Sequence, residues 1–357
     1  MRIDPVVSRR AVVAAGVATV GALALGASDS GTSATAMGLA SNVFDVRRAA
    51  QSAGGKPPSI SDPMEFLQEC QRLGAGGIQG PLGIRDDRYA AHLRQFAEDH
   101  GLYVESSIMP PRDSSAIERF EKEILTAKAC GAGIARTVVF PGRRYETFDS
   151  LQQFAQASER ARKSLELAEP IVRRHGIRLA VENHKDQRVA ERLDMLRRLG
   201  SEYIGTCMDV GNSFALCEDP MEVVRAYAPT AWSVHLKDQA VQAYKDGFLF
   251  GDAPLGKGFL DLPAIVALLR QANPKIHFNL EVITRDPLRV PVFTPKYWST
   301  MPGVPATELA RTMHTVQTKG SAGPLARLTE LPPERRVATE TANITSSIAF
   351  AKEVLRL

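Results

Sequence analysis

Four residues in the second half of the chain carry side chains suited to holding a metal ion: Glu182, Asp209, His235 and Glu281. Their spacings of 27, 26 and 46 residues fit one ligand on each of four consecutive strand–helix units. Buried carboxylates are unfavourable unless a positive charge lies among them. The three carboxylates and the imidazole are therefore expected to share one divalent cation.

The donor set indicates which ion would fit. Oxygen-rich ligation with a single nitrogen favours Mn²⁺, Mg²⁺ or Co²⁺, and Zn²⁺ is also compatible. Structural zinc is not expected, because no thiolate joins the four residues. Taken singly, each carboxylate has an alternative interpretation as a helix cap or as the partner of a Lys or Arg in a loop.

Strand alternation gives the four side chains a common direction. Residues two positions apart in a strand point the same way, so the residues two before each ligand also point inward. These residues are Ala180, Cys207, Ser233 and Asn279. Seven of the eight flanking residues are apolar, as a helix-covered outer face requires. The small inward residues predict room beneath the site for a ligand or ordered water.

Eight short apolar segments are expected to form the strands that position these residues, with a helical pattern in each gap. The predicted strands are residues 37–44, 76–80, 102–109, 134–140, 178–184, 203–210, 232–238 and 277–284. Because nothing breaks the composition, we predict an α/β fold with one closed sheet, a (β/α)8 TIM barrel. An open doubly wound sheet is the competitor, but the first strand–helix turn carries no GxGxxG motif.

The ends of the first four strands are expected to form the half of the barrel mouth that carries no metal ligands. The side chains assigned to it are Asn42, Phe44, Gln79, Glu105 and Phe140. Hydrogen-bonding and aromatic groups of this kind suit the binding of a sugar.

Residues 1–36 are expected to be an export signal that precedes the barrel. Ser8, Arg9 and Arg10 come before an uncharged run at residues 11–27, and residues 34–36 offer an A-x-A cleavage site. The pattern is similar to a twin-arginine signal, although the usual Phe and later Lys are absent. An uncleaved membrane anchor is the alternative. We predict a periplasmic or extracellular protein without stable membrane association after cleavage.

The chain changes character after the barrel segment, residues 37–284. Residues 285–357 begin with a stretch rich in Pro and aromatics and continue with helical patterns. This C-terminal helical extension starts where the last strand reaches the catalytic face. Three roles remain open: a lid over the mouth, a subunit contact in a homo-oligomer, or packing on the outer helices.

Composition excludes several classes of protein. The 357 residues include 44 Lys and Arg against 40 Asp and Glu, a balance that argues against a nucleic-acid partner. With 44% apolar and 24% charged residues, the chain is neither wholly disordered nor a multispan membrane protein. The cysteines lack CxxC or zinc-type spacing and are expected to be buried thiols: Cys70, Cys130, Cys207 and Cys217.

The segments "ENH", "DVGN", "HLKD" and "PLGKGFLDL", in that order, resemble the xylose isomerase-like TIM-barrel superfamily of sugar isomerases and epimerases. That superfamily also includes inosose dehydratase and endonuclease IV. The resemblance implies metal-assisted proton transfer on a hydroxy-ketone, with Glu182 and Glu281 binding the metal and also serving as catalytic base and acid. Asp209 and His235 would complete the metal shell. A cation chelated by the substrate carbonyl and a neighbouring hydroxyl would stabilise an enediolate.

Two candidate substrate-binding residues share the inward direction of a ligand. His184 lies two residues after Glu182 and either hydrogen-bonds a substrate oxygen or supports Glu182. Lys237 is related to His235 in the same way. It either stabilises an oxyanion or neutralises Asp238 or another acid of the shell.

Two more candidates, Asn212 and Arg285, come from the adjoining loops. Asn212 stands where some epimerases carry a substrate-binding His, and Arg188 stands where some carry an assisting Glu. Arg285 either clamps a carboxylate or phosphate or is an exposed loop charge. Residues 256–261 either cradle an anion or form a turn into the next helix.

The leading functional hypothesis is a divalent-metal-dependent isomerase or epimerase of a sugar or keto-sugar derivative. The same site would serve a lyase: an inosose dehydratase, a 3-keto-glycoside lyase, or a decarboxylase in which Lys237 or Arg285 holds the departing carboxylate. An endonuclease is not expected, because only His184 and His235 among seven histidines lie at strand ends. A non-catalytic barrel that binds a small-molecule sugar is the non-enzymatic alternative.

Overall fold

The computed structural model describes residues 35–54 and 59–357. The predicted export signal falls almost entirely on residues 1–34, outside the described residues. No helix within the described ranges is long and apolar enough to cross a membrane. Thr35 already belongs to the folded body, because its hydroxyl donates to the carbonyl of Leu357 at 2.7 Å and its amide donates to the carbonyl of Gly74 at 2.9 Å.

The described residues form eleven strands. They are β1 (Gly38–Ala40), β2 (Gly77–Gly80), β3 (Tyr103–Ser107), β4 (Ile134–Thr137), β5 (Arg178–Glu182), β6 (Ile204–Asp209), β7 (Ala231–Leu236), β8 (Asp238–Tyr244), β9 (Gly247–Ala253), β10 (His277–Leu280) and β11 (Leu288–Val290). Eight parallel strands close into a barrel in the order β1-β10-β7-β6-β5-β4-β3-β2. All eight predicted strands are present, and the predicted TIM barrel is confirmed.

Twelve α-helices accompany the strands in the described ranges. They are α1 (Asp45–Ala53), α2 (Pro63–Leu73), α3 (Asp87–Asp99), α4 (Ile117–Ala129), α5 (Arg144–Thr147), α6 (Leu151–His175), α7 (Val189–Leu199), α8 (Pro220–Tyr227), α9 (Leu262–Ala272), α10 (Pro295–Trp298), α11 (Ala306–Lys319) and α12 (Pro333–Phe350). Helix α2 illustrates the local rules: Asp62 caps it by accepting from the amide of Met64 at 2.9 Å, and Gly74 ends it at φ 71°.

A second, smaller sheet begins at the carboxyl end of barrel strand β7. Strands β8 and β9 form an antiparallel hairpin that follows β7, and β11 pairs with β9. Together with α10 and α11 they make up what we call the roof. Side chains of the roof pack in a hydrophobic cluster that is separate from the barrel core. This roof cluster includes Val241, Phe248, Phe250, Val290 and Tyr297. No strand was predicted for residues 239–276, and the hairpin is a correction to that prediction.

Helix α12 packs on the outside of the barrel. It contacts α1, and the π-helical turn after it, Ala351–Leu355, contacts α9. The buried Glu340 carboxylate accepts from the amides of Val46 at 2.6 Å and Arg47 at 3.1 Å, which ties α12 to the start of α1. Residues 285–357 therefore supply both the rest of the roof and an outer helix. A subunit contact through them stays a prediction.

Candidate metal centre

The barrel brings the four predicted ligands to one place. Glu182 and Asp209 end β5 and β6, His235 is next to last in β7, and Glu281 directly follows β10. The register pairs Asp209 with His235, and His235 with Asn279. One ligand atom from each of the four residues lies within 4.8 Å of the others, and all four side chains are buried.

His235 shows that this cluster fits a cation. Its Nδ1 atom is buried and has no hydrogen-bond partner in the described part of the chain. The same atom lies 3.3 Å from Glu281 Oε1 and 3.6 Å from Glu182 Oε1. A ring nitrogen aimed between two carboxylates, with an Asp alongside, is the arrangement that a Mg²⁺, Mn²⁺ or Co²⁺ ion would occupy.

Backbone and amide hydrogen bonds fix Asp209 in the cluster. Its Oδ1 atom accepts from the amides of Gly211 at 2.9 Å and Asn212 at 2.8 Å. The side chain of Asn183 bonds both the amide and the carbonyl of Asp209, at 2.7 and 2.9 Å. Asn183 therefore locks the end of β5 to the end of β6.

Lys237 lies inside the cluster, with 1% of its side chain exposed. Its ammonium is 2.7 Å from Asp209 Oδ2, contacts Glu281 Oε2 and lies 3.9 Å from Asp252. Burial would lower the pKa of Lys237, but Asp209 and Glu281 raise it above its usual value. Of the two predicted roles for Lys237, this geometry matches neutralisation of the shell acids, whereas contact with substrate stays a prediction.

Neighbouring basic side chains affect the pKa values of the buried carboxylates. Burial would raise the pKa of Glu182 and Glu281, but Arg136 and His235 hold the pKa of Glu182 well below its usual value. His235 and Lys237 do the same for Glu281. Burial prevails at Asp209, which has its pKa raised to about 6.

Arg136 is a residue that the sequence analysis missed. It lies in β4, and its Nε atom donates to Glu182 Oε2 at 2.7 Å, with Nη2 bonding the same oxygen. A charged side chain in the apolar segment 134–140, two residues from Ile134, was a usable signal, because Arg in a barrel strand requires a partner. Arg188, which the resemblance aligned with an assisting Glu, pairs instead with Glu218 and Glu308.

A cavity of about 240 Å³ opens beside the cluster. Its wall includes Asn42, Gln79, Ser107, Met109, Arg136, His235 and Glu281. Asn42 donates to Glu281 Oε1 at 2.5 Å, so the mouth residues of the first strands contact the ligands directly. Phe44 and Phe140, by contrast, are buried in the hydrophobic core and do not contribute to this wall.

The barrel interior beneath the cluster carries small and polar side chains. Ala180, Cys207, Ser233 and Asn279 are fully buried, in line with the predicted inward register. Glu105 lies among these small residues, where room for a ligand or ordered water was predicted. Glu105 lies in the middle of β3 rather than at the mouth, and it accepts from Ser233 at 2.7 Å and Asn279 at 3.1 Å.

The remaining predicted substrate-binding residues surround the cluster. His184 is half-buried and has no hydrogen bond within the described residues; burial lowers its pKa to about 3, so its ring is neutral near pH 7. Asn212 is fully buried, where it accepts from Lys185 and donates to the Asn183 carbonyl at 3.2 Å. Arg285 is one-third exposed and bonds Asp252 at 3.3 Å. Their contacts with substrate stay predictions.

The turn at residues 256–261 holds an anion that belongs to the chain itself. The Asp238 carboxylate accepts from the amides of Gly256 at 3.0 Å, Gly258 at 2.8 Å and Leu260 at 3.2 Å. A Cβ atom on Gly258 would lie 2.1 Å from Asp238 Oδ1, so glycine is required there. Asp261 caps α9 by accepting from the amide of Ala264. The turn interpretation is thus the one that the structure supports.

The predicted state of the cysteines is confirmed. Cys70, Cys130, Cys207 and Cys217 are all free and buried. None of them belongs to the metal cluster.

Comparison with known proteins places this site in a family. Residues 67–302 match the family described as Xylose isomerase-like TIM barrel. A curated relative is the 3-oxo-isoapionate decarboxylase of Pectobacterium atrosepticum, 26% identical over 252 residues that cover 69% of this chain and 85% of the relative.

Solved structures share the fold. One is a xylose isomerase-like TIM barrel protein from Mycobacterium smegmatis in complex with magnesium, with TM-score 0.51, 17% identity and coverage of 78% of this chain and 97% of that chain. Another is an L-ribulose 3-epimerase, with TM-score 0.52, 16% identity and coverage of 89% and 96%. Because the family match spans more than half of its residues, this chain belongs to the Xylose isomerase-like TIM barrel family.

Proposed function

We propose that this protein is a divalent-metal-dependent lyase that releases CO2 from a keto-sugar acid. The observation that carries the proposal is the position of Arg136. Arg136 is the only permanently charged cation among the residues lining the 240 Å³ cavity, and 21% of its side chain is exposed. A guanidinium beside the metal cluster is suited to the carboxylate of an acidic substrate.

Arg136 also affects which reaction Glu182 is able to perform. Both guanidinium contacts fall on Glu182 Oε2, and Oε1 accepts from Asn212 Nδ2 at 3.4 Å. With both oxygens engaged, Glu182 is poorly placed to remove a proton from carbon. Decarboxylation of a 3-oxo acid requires no such removal, and the curated relative is named as a decarboxylase of a 3-oxo acid.

The proposed reaction is balanced without an oxidant or reductant. The bond between the carboxylate carbon and its neighbouring carbon breaks, and its electron pair passes to the ketone oxygen as CO2 leaves. The neighbouring carbon then takes up one proton to give the ketone. A divalent ion held by the four ligands would supply positive charge at the ketone oxygen. Asn42 and Arg136, which line the cavity, would orient the substrate.

Isomerisation or epimerisation of a keto-sugar is the second candidate. It is favoured by the placement of two carboxylates around His235, with Glu281 in the cavity wall. Two such carboxylates are what proton removal and return at one carbon require. In this reaction Glu182 would have to exchange its contact with Arg136 for one with the substrate.

The test is a substrate screen of the purified, metal-loaded protein in D2O, followed by NMR. Candidate substrates are 3-oxo sugar acids, ketohexoses, 3-keto-glycosides and inososes. We expect CO2 release from a 3-oxo sugar acid, with deuterium in the product. Deuterium exchange or epimer formation without loss of a carboxylate would support the second candidate, and an unsaturated product would indicate a dehydratase. Binding of a sugar without any reaction would support the non-catalytic barrel.

We also propose that the protein is exported through its N-terminal segment. The support comes from Arg9 and Arg10 before the uncharged run. Replacing both arginines with Lys is expected to retain the protein in the cytoplasm, as cell fractionation would reveal; unchanged export would indicate another route. N-terminal sequencing of the exported form would also locate the cleavage site relative to the buried Thr35.

A further inference from the structure

A chain of hydrogen bonds runs from His235 into the barrel interior. His235 Nε2 bonds Gln79 Oε1, on the side of the ring opposite to Nδ1. Gln79 Nε2 in turn donates to Glu105 Oε2 at 2.9 Å and to Ser233 Oγ at 3.0 Å. Gln79, Glu105 and His235 are each at most 2% exposed, so these bonds form away from solvent.

The surroundings of Glu105 fix the direction of this chain. Gln79, Ser233 and Asn279 all bring donors to Oε2, and His277 Nδ1 lies 2.8 Å from Oε1. Glu105 Oε2 thus accepts three hydrogen bonds, one of them from the amide nitrogen of Gln79. Gln79 must therefore turn its NH2 group toward Glu105 and its carbonyl oxygen toward His235.

The orientation of Gln79 then determines the tautomer of His235. An amide oxygen cannot donate, so the proton of the shared hydrogen bond must reside on His235 Nε2. Nδ1 is the nitrogen left to face the carboxylates of the cluster, and it is the nitrogen without a hydrogen-bond partner. An Nδ1 protonated in place of Nε2 would lose both the bond to Gln79 and the capacity to bind an ion.

We propose that Gln79 and Glu105 are positioning residues that hold His235 as a metal ligand through Nδ1. The inference rests on the metal centre of the proposed function, but not on which reaction it performs. Neither residue is among the ligands, and both lie on strands that carry no ligand, β2 and β3. Partners of this kind typically change metal affinity or activity 10- to 100-fold when they are removed.

The test measures metal binding rather than turnover. Isothermal titration of Mn²⁺ into Gln79→Leu and Glu105→Gln is expected to show affinities weaker than wild type by about 10- to 100-fold. In Glu105→Gln the new amide can donate as well as accept, so the amide of Gln79 loses its fixed orientation. Tyr103→Phe is the matched control: its hydroxyl lies in the same network, 3.0 Å from Asn279 Oδ1, but contacts neither Gln79 nor His235. This control is expected to bind Mn²⁺ as wild type does.

Nitrogen-15 NMR of the histidine rings adds a readout that general destabilisation does not move. In wild type the His235 ring should carry a slowly exchanging proton on Nε2, with and without Mg²⁺, and Gln79→Leu should lose that protection.

Two results would overturn the proposal: wild-type Mn²⁺ affinity in both Gln79→Leu and Glu105→Gln, or a His235 ring protonated only on Nδ1. If wild type binds no divalent ion, the metal centre and the proposed function fail together. A wild-type protein that binds Mn²⁺ but lacks CO2 release leaves only the reaction in error.

Discussion

Two of the regions that bury carboxylates in this molecule differ in the charges that surround them. At the barrel centre, three carboxylates share one cluster, and Arg136, His235 and Lys237 contact them. In the cleft between α7, α8 and α11, the carboxylate of Glu218 is largely buried. Within the described residues its one cationic partner is Arg188, at 3.6 Å, and it also accepts from the amide of Val189 at 3.0 Å.

The pKa values reflect this difference. At the centre, basic side chains outweigh burial at two of the three carboxylates and hold the pKa of Glu182 and Glu281 below the usual value, whereas burial prevails at Asp209. In the cleft, burial prevails and raises the pKa of Glu218 to about 7, because Arg188 also pairs with Glu308. Burial of a carboxylate is therefore not enough to indicate a functional site. Basic side chains that keep the buried carboxylates ionised are the feature that distinguishes the metal cluster from the cleft.

The largest effect is expected from removing charge at the centre. Glu281→Gln and Glu182→Gln each replace a ligand by a neutral amide of the same shape. Metal affinity and turnover should both fall by more than the roughly 10- to 100-fold that loss of a group supporting a ligand costs. Metal content by mass spectrometry and turnover of the substrate identified in the screen would measure both. Glu218→Gln is the matched control, because it neutralises a buried carboxylate outside the metal cluster. If both glutamate variants kept full activity, the assigned roles would be wrong.

Much of the centre was predictable from the sequence for a simple reason. Side chains along a barrel strand point alternately inward and outward, so every second residue faces the barrel interior. This alternation, together with the spacing between the ends of successive strands, identifies the four ligands as a group: Glu182, Asp209, His235 and Glu281. The eight strands themselves follow from apolar segments between helical patterns. Neither inference depends on knowing which strand neighbours which.

What escaped prediction depends on which side chains meet across the strands of the sheet. Arg136 meets Glu182 across 46 residues, on the paired strands β4 and β5. Glu105 meets Asn279 across 174 residues, and their strands are not neighbours, so this contact requires the closed sheet. The hairpin of β8 and β9, by contrast, was predictable, because the sequence contains a turn signal between the two strands. Asp246 and Gly247 form the "DG" pair that favours a tight turn, and Gly247 adopts φ 150° there.

An intermediate effect is expected from Arg136, the cation that the cleft lacks. Arg136→Met leaves Glu182 without its paired guanidinium and should raise KM for an acidic substrate by about 10- to 100-fold, since an interfacial charge partner is worth a few kcal/mol. The change for a neutral keto-sugar should be smaller. Arg136→Lys keeps the charge but not the two parallel N–H groups, so an intermediate KM is expected. Equal KM changes for acidic and neutral substrates would argue against a carboxylate contact.

The smallest effect concerns Glu218, the carboxylate without an adequate cation. Its pKa is raised from 4.5 to about 7, so between these values the folded protein keeps a proton that the unfolded chain has lost. Stability of the wild type must then fall as pH rises through this window, and the deficit is complete above about pH 7. Glu218→Gln removes the deficit. It should raise the free energy of unfolding by on the order of 1–3 kcal/mol at pH 8 and by little at pH 4.5. Urea unfolding at both pH values would measure this difference.

The control is Glu222→Gln, which changes an exposed glutamate of the same cleft. Its free energy of unfolding should stay within about 0.5 kcal/mol of wild type at either pH. A gain for Glu218→Gln that is equal at pH 4.5 and pH 8 would show that packing, rather than the buried charge, separates the cleft from the centre.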